Sequence, residues 1–405
     1  MRTRPLAIAS CLVATLILLT ACATPASIDR CTDPLGCLEI LPGSPILVGT
    51  VFATSGDEAS LGVDSLRAVK LAEHDLGEID GHALAIDNQD SDCRAVNARL
   101  AAQRLALDPD LVAVIGPTCS AEAAAAVPIL DRAGLTVISP GAAGPSGAQG
   151  YFRLVYPASV PDLTAGFLLD VLGARRIVLG DDGTAETMER VDQLEAALRS
   201  TAGPQVSLQR LSFSAAGLPG VVAQLAGTPP EALYLSVPPF LAGQVLLRLR
   251  ASPALALLPV VGDQILFSPE TVRSGQLASS GLLLIGPDVS ALGQPYSDFL
   301  TRYRSTYGQA PDSGEHPFAY AAMQLLAHAI LASGRIRADG SLLVPRGGLR
   351  QALAATQELP TLIGRVSCGS GQVCSSAGFN AAIYRLVQKQ EGGWDLGLGP
   401  ERLYP

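Results

Sequence analysis

Short apolar segments alternate with amphipathic segments along most of this chain. In the first half, the apolar segments predict four strands and the amphipathic segments predict three helices. The predicted strands span residues 46–51, 83–87, 111–116 and 135–139, and the predicted helices span 61–76, 94–107 and 120–133. Short apolar strands that alternate with such helices are typical of a parallel sheet covered by helices on both faces.

The same pattern starts again after Pro157. Further strands are predicted at residues 176–180, 206–213, 232–236 and 257–262, with helices at 186–200, 219–226 and 243–250. Two helical segments at 296–307 and 318–333 and a strand at 380–387 follow. Because a single hydrophobic core rarely grows beyond about 250–300 residues, two runs of this pattern predict two α/β lobes.

The first 22 residues have the pattern of an export signal. Arg2 and Arg4 precede an apolar run, Leu6–Leu19, that is too short to span a bilayer. The following Leu-Thr-Ala-Cys resembles the lipobox of bacterial lipoproteins, which implies cleavage of residues 1–21 and a lipid on Cys22. An ordinary cleaved signal with a chance cysteine is the alternative. We therefore expect an extracytoplasmic protein, in the periplasm or on the outer cell surface, with residues 22–44 as its tether.

Composition and motifs narrow the classes of function. The net charge is −9 and no Lys/Arg cluster occurs, which argues against a nucleic-acid partner. No second apolar stretch long enough to span a membrane follows the signal. The chain has no G-x-S-x-G elbow, no phosphate loop and no H-E-x-x-H motif. We expect a monomeric binding protein without a cofactor, not an enzyme.

Six cysteines follow the lipobox, and disulfides are expected in an exported protein. They are Cys31, Cys37, Cys93, Cys119, Cys368 and Cys374. Proximity in the sequence favours the pairs Cys31–Cys37 and Cys368–Cys374, which leaves Cys93 with Cys119, although other pairings stay open. None of the spacings is C-x-x-C, so a metal site is not predicted.

Several segments of this chain carry a resemblance to a known family. They are residues 49–56, 87–93, 114–120, 137–143, 299–308, 319–327 and 392–394. These segments resemble the type I periplasmic binding proteins, in particular the group that binds leucine, isoleucine and valine. The resemblance covers about residues 45–400 and also implies the pair Cys93–Cys119.

The fold implied by this resemblance consists of two lobes that the chain crosses between three times. We expect an α/β protein with two doubly wound parallel-sheet lobes joined by a three-segment hinge. Lobe one is predicted to comprise residues 45–158 and 288–366, and lobe two residues 159–287 and 367–405. A ligand would lie in the cleft between the lobes.

Three candidate ligand-binding residues lie in lobe one. Ser120 follows the strand at 111–116 and begins a helix, where free N–H groups and the helix dipole suit a carboxylate. A simple helix-capping role is the alternative for this serine. The resemblance implies that Gly141 supplies backbone groups to the ligand, and that Ala143 stands where the family has a threonine.

Lobe two departs further from the family pattern. The resemblance places Glu186 and Thr187 where the Leu/Ile/Val binders have a Tyr-Gly pair. The acidic residue that holds the ligand's ammonium group falls on Asp263 or Gln264. Asp263 could equally be a solvated turn residue, and Glu186 could act on the helix dipole instead of the ligand.

These departures predict a ligand other than leucine, isoleucine or valine. Phe52, Ser55, Tyr156 and Tyr320 are candidates for the walls of the cleft. We expect capture of a small polar ligand, amino-acid-like or carboxylate-bearing, and delivery to an ABC permease in the membrane. The alternative is a sensory or regulatory envelope lipoprotein with the same fold and a degenerate cleft.

Overall fold

The computed structural model of this protein describes most of the chain. The described residues are 31–56, 58–145, 147–155, 160–267, 271, 281–369, 371–376, 380–385, 387–388, 394–395 and 401–404. The predicted export signal, Cys22, the predicted tether up to residue 30 and Tyr156 lie outside these ranges. Within them, no helix combines the length and the apolar character needed to cross a bilayer.

The strands follow one another along the chain as the periodicity predicts, with additional short strands near both ends. They are β1 (Cys37–Ile40), β2 (Ile46–Phe52), β3 (Glu78–Ile79), β4 (His82–Asp90), β5 (Leu111–Ile115), β6 (Thr136–Ser139), β7 (Tyr151–Val155), β8 (Arg176–Asp181), β9 (Ser207–Ser212), β10 (Ala232–Leu235), β11 (Val260–Gly262), β12 (Leu282–Pro287), β13 (Arg335–Ile336), β14 (Leu342–Pro345), β15 (Leu359–Thr361), β16 (Gly364–Cys368), β17 (Val373–Ser376), β18 (Ala381–Arg385), β19 (Val387–Gln388), β20 (Trp394–Asp395) and β21 (Glu401–Tyr404).

The helices fall between these strands. They are α1 (Ala59–Leu76), α2 (Ala95–Ala106), α3 (Ser120–Arg132), α4 (Val160–Gly166), α5 (Ala185–Ala202), α6 (Leu218–Gly227), α7 (Pro239–Ala251), α8 (Gly293–Tyr307), α9 (His316–Ser333) and α10 (Arg346–Ala354). A π-helical turn, Phe167–Val171, continues α4.

Two large sheets form the two predicted lobes. The first has the order β15-β16-β17-β7-β6-β5-β2-β4-β3, and the second has the order β21-β18-β12-β11-β10-β8-β9. The strands from β7 to β4 in the first sheet and from β12 to β9 in the second are parallel. In β10, Leu233 and Leu235 pack into the core on one face while Ala232 and Tyr234 pack into the core on the other. The predicted fold class, two α/β lobes with parallel sheets, is confirmed.

The chain passes between the sheets after β7, after β12 and after β17. The predicted change of lobe at 366/367 is wrong, because β16 spans it and β17 still pairs with β7 in the first sheet. Cys368 and Cys374 lie opposite each other on these antiparallel strands and form a disulfide. The bonded hairpin therefore belongs to the first lobe, and the third crossing follows Ser376.

The tether prediction also needs correction at its end. Strand β1 pairs with β14, and a disulfide joins Cys31 to Cys37. The carboxylate of Asp33 accepts the Gly348 N–H at 2.9 Å, at the start of α10. Because these contacts fasten residues 31–44 to the first lobe, any tether is limited to residues before Cys31.

Two residues predicted as cleft walls lie in the core of the first lobe. Phe52 ends β2 and is fully buried, and Tyr320 lies in α9 with its hydroxyl donating to Asp75 at 2.8 Å. Helix α9 is apolar on nearly all sides because β-sheet and helices enclose it, and it packs along α1. Aromatic residues in such elements fill the core, and the expectation of a cleft position for Phe52 and Tyr320 is wrong.

Candidate functional site

The turn from β5 into α3 places Ser120 at the junction of the lobes. Gly116 has a φ of +117°, and a Cβ there would lie 2.2 Å from the Val51 carbonyl oxygen, so only glycine fits. Cys119 precedes the helix with extended backbone, and its N–H donates to the Glu122 carboxylate at 2.9 Å. A disulfide joins Cys119 to Cys93, just beyond β4. The turn is thus fixed from both sides.

The Ser120 hydroxyl makes contacts within and between the lobes. It accepts the Ala143 N–H at 2.9 Å and donates to the Glu186 carboxylate at the start of α5. Helices α3 and α5 therefore meet at their N-termini across the cleft. A carboxylate held there accepts a hydrogen bond from the hydroxyl and lies at the positive end of a helix dipole.

Ser139 holds the loop that carries Gly141 and Ala143. Its hydroxyl accepts the N–H groups of Gly141 and Ala142, at 3.2 and 2.9 Å, and donates to the Pro117 carbonyl at 3.0 Å. Because this serine ends β6, the loop lies next to the start of α3. The sequence pattern predicts Ser139 only as the end of a strand and gives no indication of this role.

A second group of polar residues lies on the side of lobe two. Arg190, one turn after Glu186 on α5, pairs with the carboxylates of Glu186 and Asp263, the latter at 3.2 Å. Asp263 also accepts the Ser236 hydroxyl and the Ile265 N–H, the latter at 2.9 Å. Although burial disfavours the charge of Arg190, the two carboxylates raise its pKa above the usual value. Arg190 therefore stays charged.

These elements enclose a cleft of about 460 Å³. Five predicted site residues line it: Ser120, Gly141, Ala143, Glu186 and Gln264. Five further charged residues that sequence reasoning did not select for the site also line it: Glu58, Arg153, Asp182, Arg190 and Glu315. The spacing of four residues between Glu186 and Arg190 on a helix predicts an ion pair, but it does not predict that the pair is buried.

Two other predicted residues are not part of this wall. Asp263 has no exposed surface and is bonded to Arg190 and Ser236, whereas the neighbouring Gln264 lines the cleft. Ser55 donates to the Asp90 carboxylate at the end of β4 and lies outside the cleft lining. The expectations that Asp263 and Ser55 contact a ligand directly therefore do not agree with the structure.

Glu315 directly precedes α9 and faces the cleft beside Gly141. A Cβ on Gly141 would lie 3.0 Å from its carboxylate, so glycine leaves the space that this side chain fills. Burial raises the pKa of Glu315 to about 7, with Glu186 contributing to the rise and Arg190 and Arg153 opposing it. Near neutral pH, Glu315 is therefore protonated in part.

Replacing Glu315 by glutamine is expected to change how stability depends on pH. The folded-state pKa lies above the ordinary value of 4.5, so folding favours the protonated carboxyl group. Its contribution is complete below about pH 4.5 and is lost as the pH rises through about 7. Urea unfolding measures this at about pH 5 and about pH 8. Between these two pH values, the free energy of unfolding of the wild type should fall by about 2 kcal/mol more than that of Glu315→Gln. Parallel pH profiles of the two proteins would contradict this assignment.

One group of potential metal ligands lies at the site, formed by Cys93, Cys119 and Glu122. The disulfide occupies both sulfur atoms, and Glu122 bonds to the Cys119 N–H. Cysteine binds a metal ion as a thiolate, which a disulfide does not provide, so these residues do not fit a metal ion.

Comparison of the sequence with protein-family models and curated proteins gives two matches. The family model described as a periplasmic binding protein matches residues 45–377. An amino acid binding protein from Pseudomonas aeruginosa is 24% identical over 197 residues, which cover 47% of this chain. The match spans 53% of that relative, about half of its length.

Solved structures of similar fold cover almost the whole of this chain. A leucine binding protein from Thermotoga maritima has 17% identity and a TM-score of 0.70, covering 86% of this chain and 97% of its own. A branched-chain amino acid transporter substrate binding protein from Streptococcus pneumoniae, solved with isoleucine, has 20% identity and a TM-score of 0.70, covering 89% and 100%. A type 1 periplasmic binding protein from Bordetella pertussis has 16% identity and a TM-score of 0.72, also covering 89% and 100%. These likenesses establish the two-lobed fold.

Proposed function

This chain belongs to the periplasmic binding protein family, and on that basis we propose that it is a lipid-anchored extracytoplasmic receptor for a small solute. The proposed ligand carries a carboxylate and is amino-acid-like. The lobes close around it, and the closed form delivers it to an ABC permease. Binding and closure, without chemical conversion, are the proposed mechanism.

The donor set at the start of α3 carries this proposal. The Ser120 hydroxyl already holds one carboxylate, that of Glu186, beside the helix N-terminus. The Ala143 N–H lies on the same hydroxyl, within the cleft. Because the protein's own carboxylate occupies this place, the geometry and charge of the place suit a ligand carboxylate.

Under this proposal, a ligand carboxylate and Glu186 compete for Ser120. A displaced Glu186 remains on α5, where Arg190 and the cleft lie beside it. Its carboxylate can then accept hydrogen bonds from the ammonium group of an amino acid. The buried Asp263 is not placed for this role. The Pseudomonas aeruginosa relative, described as an amino acid binding protein, supports this class of ligand.

Replacing Ser120 by alanine is expected to weaken ligand binding roughly tenfold or more. When the lobes are apart, the hydroxyl keeps its contact with the Ala143 N–H, and only its bond across the cleft depends on closure. Its loss therefore affects mainly the closed, ligand-bound form. Titration calorimetry measures the change, after a thermal-shift screen of amino acids, amides, small peptides, polyamines and organic acids has found a ligand. Ser55→Ala is the matched control, since that hydroxyl bonds to Asp90 outside the cleft. Equal affinity in all three proteins would remove Ser120 from the site.

One observation favours a second candidate function. The Ser120–Glu186 contact joins the lobes through the protein's own side chains. A cleft held shut in this way suits a sensory or regulatory envelope lipoprotein that binds a partner protein. A flat thermal-shift response over the whole panel, from protein with cooperative unfolding, would favour this candidate over the solute receptor.

Replacing Cys22 by serine is expected to release the protein from membranes, because a thiol is needed to carry the lipid. Fractionation of cells that express the wild type and Cys22→Ser measures the distribution. Cys11→Ser is the control, since that cysteine lies within the export signal. Retention of Cys22→Ser in the membrane fraction would count against lipidation at this residue.

A further inference from the structure

Arg153 lies where the cleft meets the hinge. It is on β7, the last strand before the chain first leaves the first sheet, and its neighbours in register are Ser139 on β6 and Val373 on β17. Its side chain lines the same cleft as Ser120 and Glu315. It also lines a second hollow of about 660 Å³ between the hinge strands and α5. A guanidinium here can reach a ligand from the hinge side.

The two arginines of the cleft differ in their partners. Arg190 is paired with two carboxylates, those of Glu186 and Asp263. For Arg153, in contrast, the described part of the chain provides no ion pair, and its buried Nε has no hydrogen-bond acceptor there. A buried donor without an acceptor is costly. The planar guanidinium is suited to bind a carboxylate with two parallel hydrogen bonds.

We propose that Arg153 forms a second anion subsite in the cleft, so that the ligand carries one anionic group in addition to the carboxylate held at Ser120. This inference rests on the proposed function as a solute receptor. Ligands of the matching class are acidic amino acids and short dicarboxylates. Neutral aliphatic amino acids would leave Arg153 without an acceptor.

Glu315 makes the second subsite compatible with an anion. Burial raises its pKa to about 7, and Glu186, Arg190 and Arg153 are the charged groups that act on it. An anion bound at Arg153 raises this pKa further, because the charged carboxylate would face a like charge. Binding of the second anionic group therefore takes up a proton near neutral pH, and the protonated carboxyl group no longer repels the ligand.

The first experiment uses the wild-type protein alone, as the exported, lipidated chain purified in detergent. Titration calorimetry compares L-glutamate, L-aspartate, glutarate and succinate with the neutral compounds L-glutamine, L-asparagine and L-leucine. At least one acidic compound is expected to bind about tenfold or more tightly than its neutral counterpart. This selectivity is measured without any variant, so the test stands even where a substitution impairs folding.

The second experiment assigns the selectivity to Arg153. In Arg153→Gln, affinity for the acidic compound is expected to fall about 10- to 100-fold while affinity for the neutral counterpart changes little. Arg199→Gln is the matched control, because Arg199 is on the outer part of α5 and pairs with Glu195 in solvent. Repeating the titration in buffers of different ionisation enthalpy measures proton uptake, which should disappear in Glu315→Gln.

The outcomes separate this inference from the proposed function. A wild-type protein that prefers the neutral compounds would overturn the subsite but keep the solute receptor. Equal losses for acidic and neutral compounds in Arg153→Gln would do the same. Folded protein that binds no compound in this set or in the wider screen would overturn the proposed function and the subsite together.

Discussion

Replacing Arg190 by glutamine is expected to lower the free energy of unfolding by about 3–5 kcal/mol. Asp263 has no exposed surface, and Arg190 and Glu186 are only 14% and 15% exposed in their side chains. Loss of the guanidinium leaves a fully buried carboxylate without its cation, next to a second carboxylate. The penalty is large because the Ser236 hydroxyl and the Ile265 N–H solvate only part of the Asp263 charge.

Denaturant unfolding followed by circular dichroism measures this effect. Arg199→Gln is the control on the same helix, since its pair with Glu195 is exposed and should contribute about 1 kcal/mol or less. The double variant Arg190→Gln/Asp263→Asn should recover part of the loss, because it removes the unpaired charge. Equal stability of Arg190→Gln and Arg199→Gln would show that the buried pair does not stabilise the lobe.

Loss of the Cys93–Cys119 disulfide is expected to lower the free energy of unfolding by about 3–4 kcal/mol. The two cysteines are separated by 26 residues, so the bond removes much of the freedom of the unfolded chain. Because Ser120 is the next residue, the double variant Cys93→Ser/Cys119→Ser should also bind the ligand more weakly. Denaturant unfolding and calorimetry on the same samples measure the two effects.

The Cys31–Cys37 disulfide provides a matched control. It closes a separation of only 6 residues and should contribute about 2 kcal/mol, and it lies away from the cleft. Its removal is expected to leave ligand affinity unchanged. If the Cys93/Cys119 variant were no less stable than the Cys31/Cys37 variant, loop length would not explain the stabilisation.

Most of the fold could be predicted from the sequence because apolar and polar residues alternate regularly along most of the chain. The helices predicted at 120–133 and 186–200 match α3 and α5 closely, and the strands predicted at 135–139 and 176–180 match β6 and β8. The hinge strands were harder. Strand β7 carries Arg153 in its middle, and β16 and β17 contain serines and cysteines. None of these three strands therefore shows a clear alternation of apolar and polar residues. The pairing of β7 with β17 joins residues that lie far apart in the sequence, Arg153 and Val373, so only the assembled sheet determines that register.

The residue pattern alone predicts the site best in lobe one, where Ser120 follows directly from the end of a strand and the start of a helix. In lobe two, the family resemblance is needed to select Glu186, and it leaves Asp263 and Gln264 as alternatives. In lobe two, the turn after β11 decides that Asp263 points inward and Gln264 toward the cleft. A periodic pattern contains no information on that turn. Glu315 could not be found either, because its position depends on Gly141 from a distant part of the chain.

The fastening of β1 to the first lobe has a mechanical consequence for an anchored protein. Between a lipid on Cys22 and the disulfide at Cys31 the chain has nine steps, so its contour reaches at most about 30 Å. This short segment leads into residues that are fastened to the first lobe by the pairing of β1 with β14 and by the bond of Asp33 to α10. Under the proposed lipid anchor, the first lobe would be held close to the membrane surface, and on ligand capture the second lobe would move relative to it. A permease would meet every receptor from the same side.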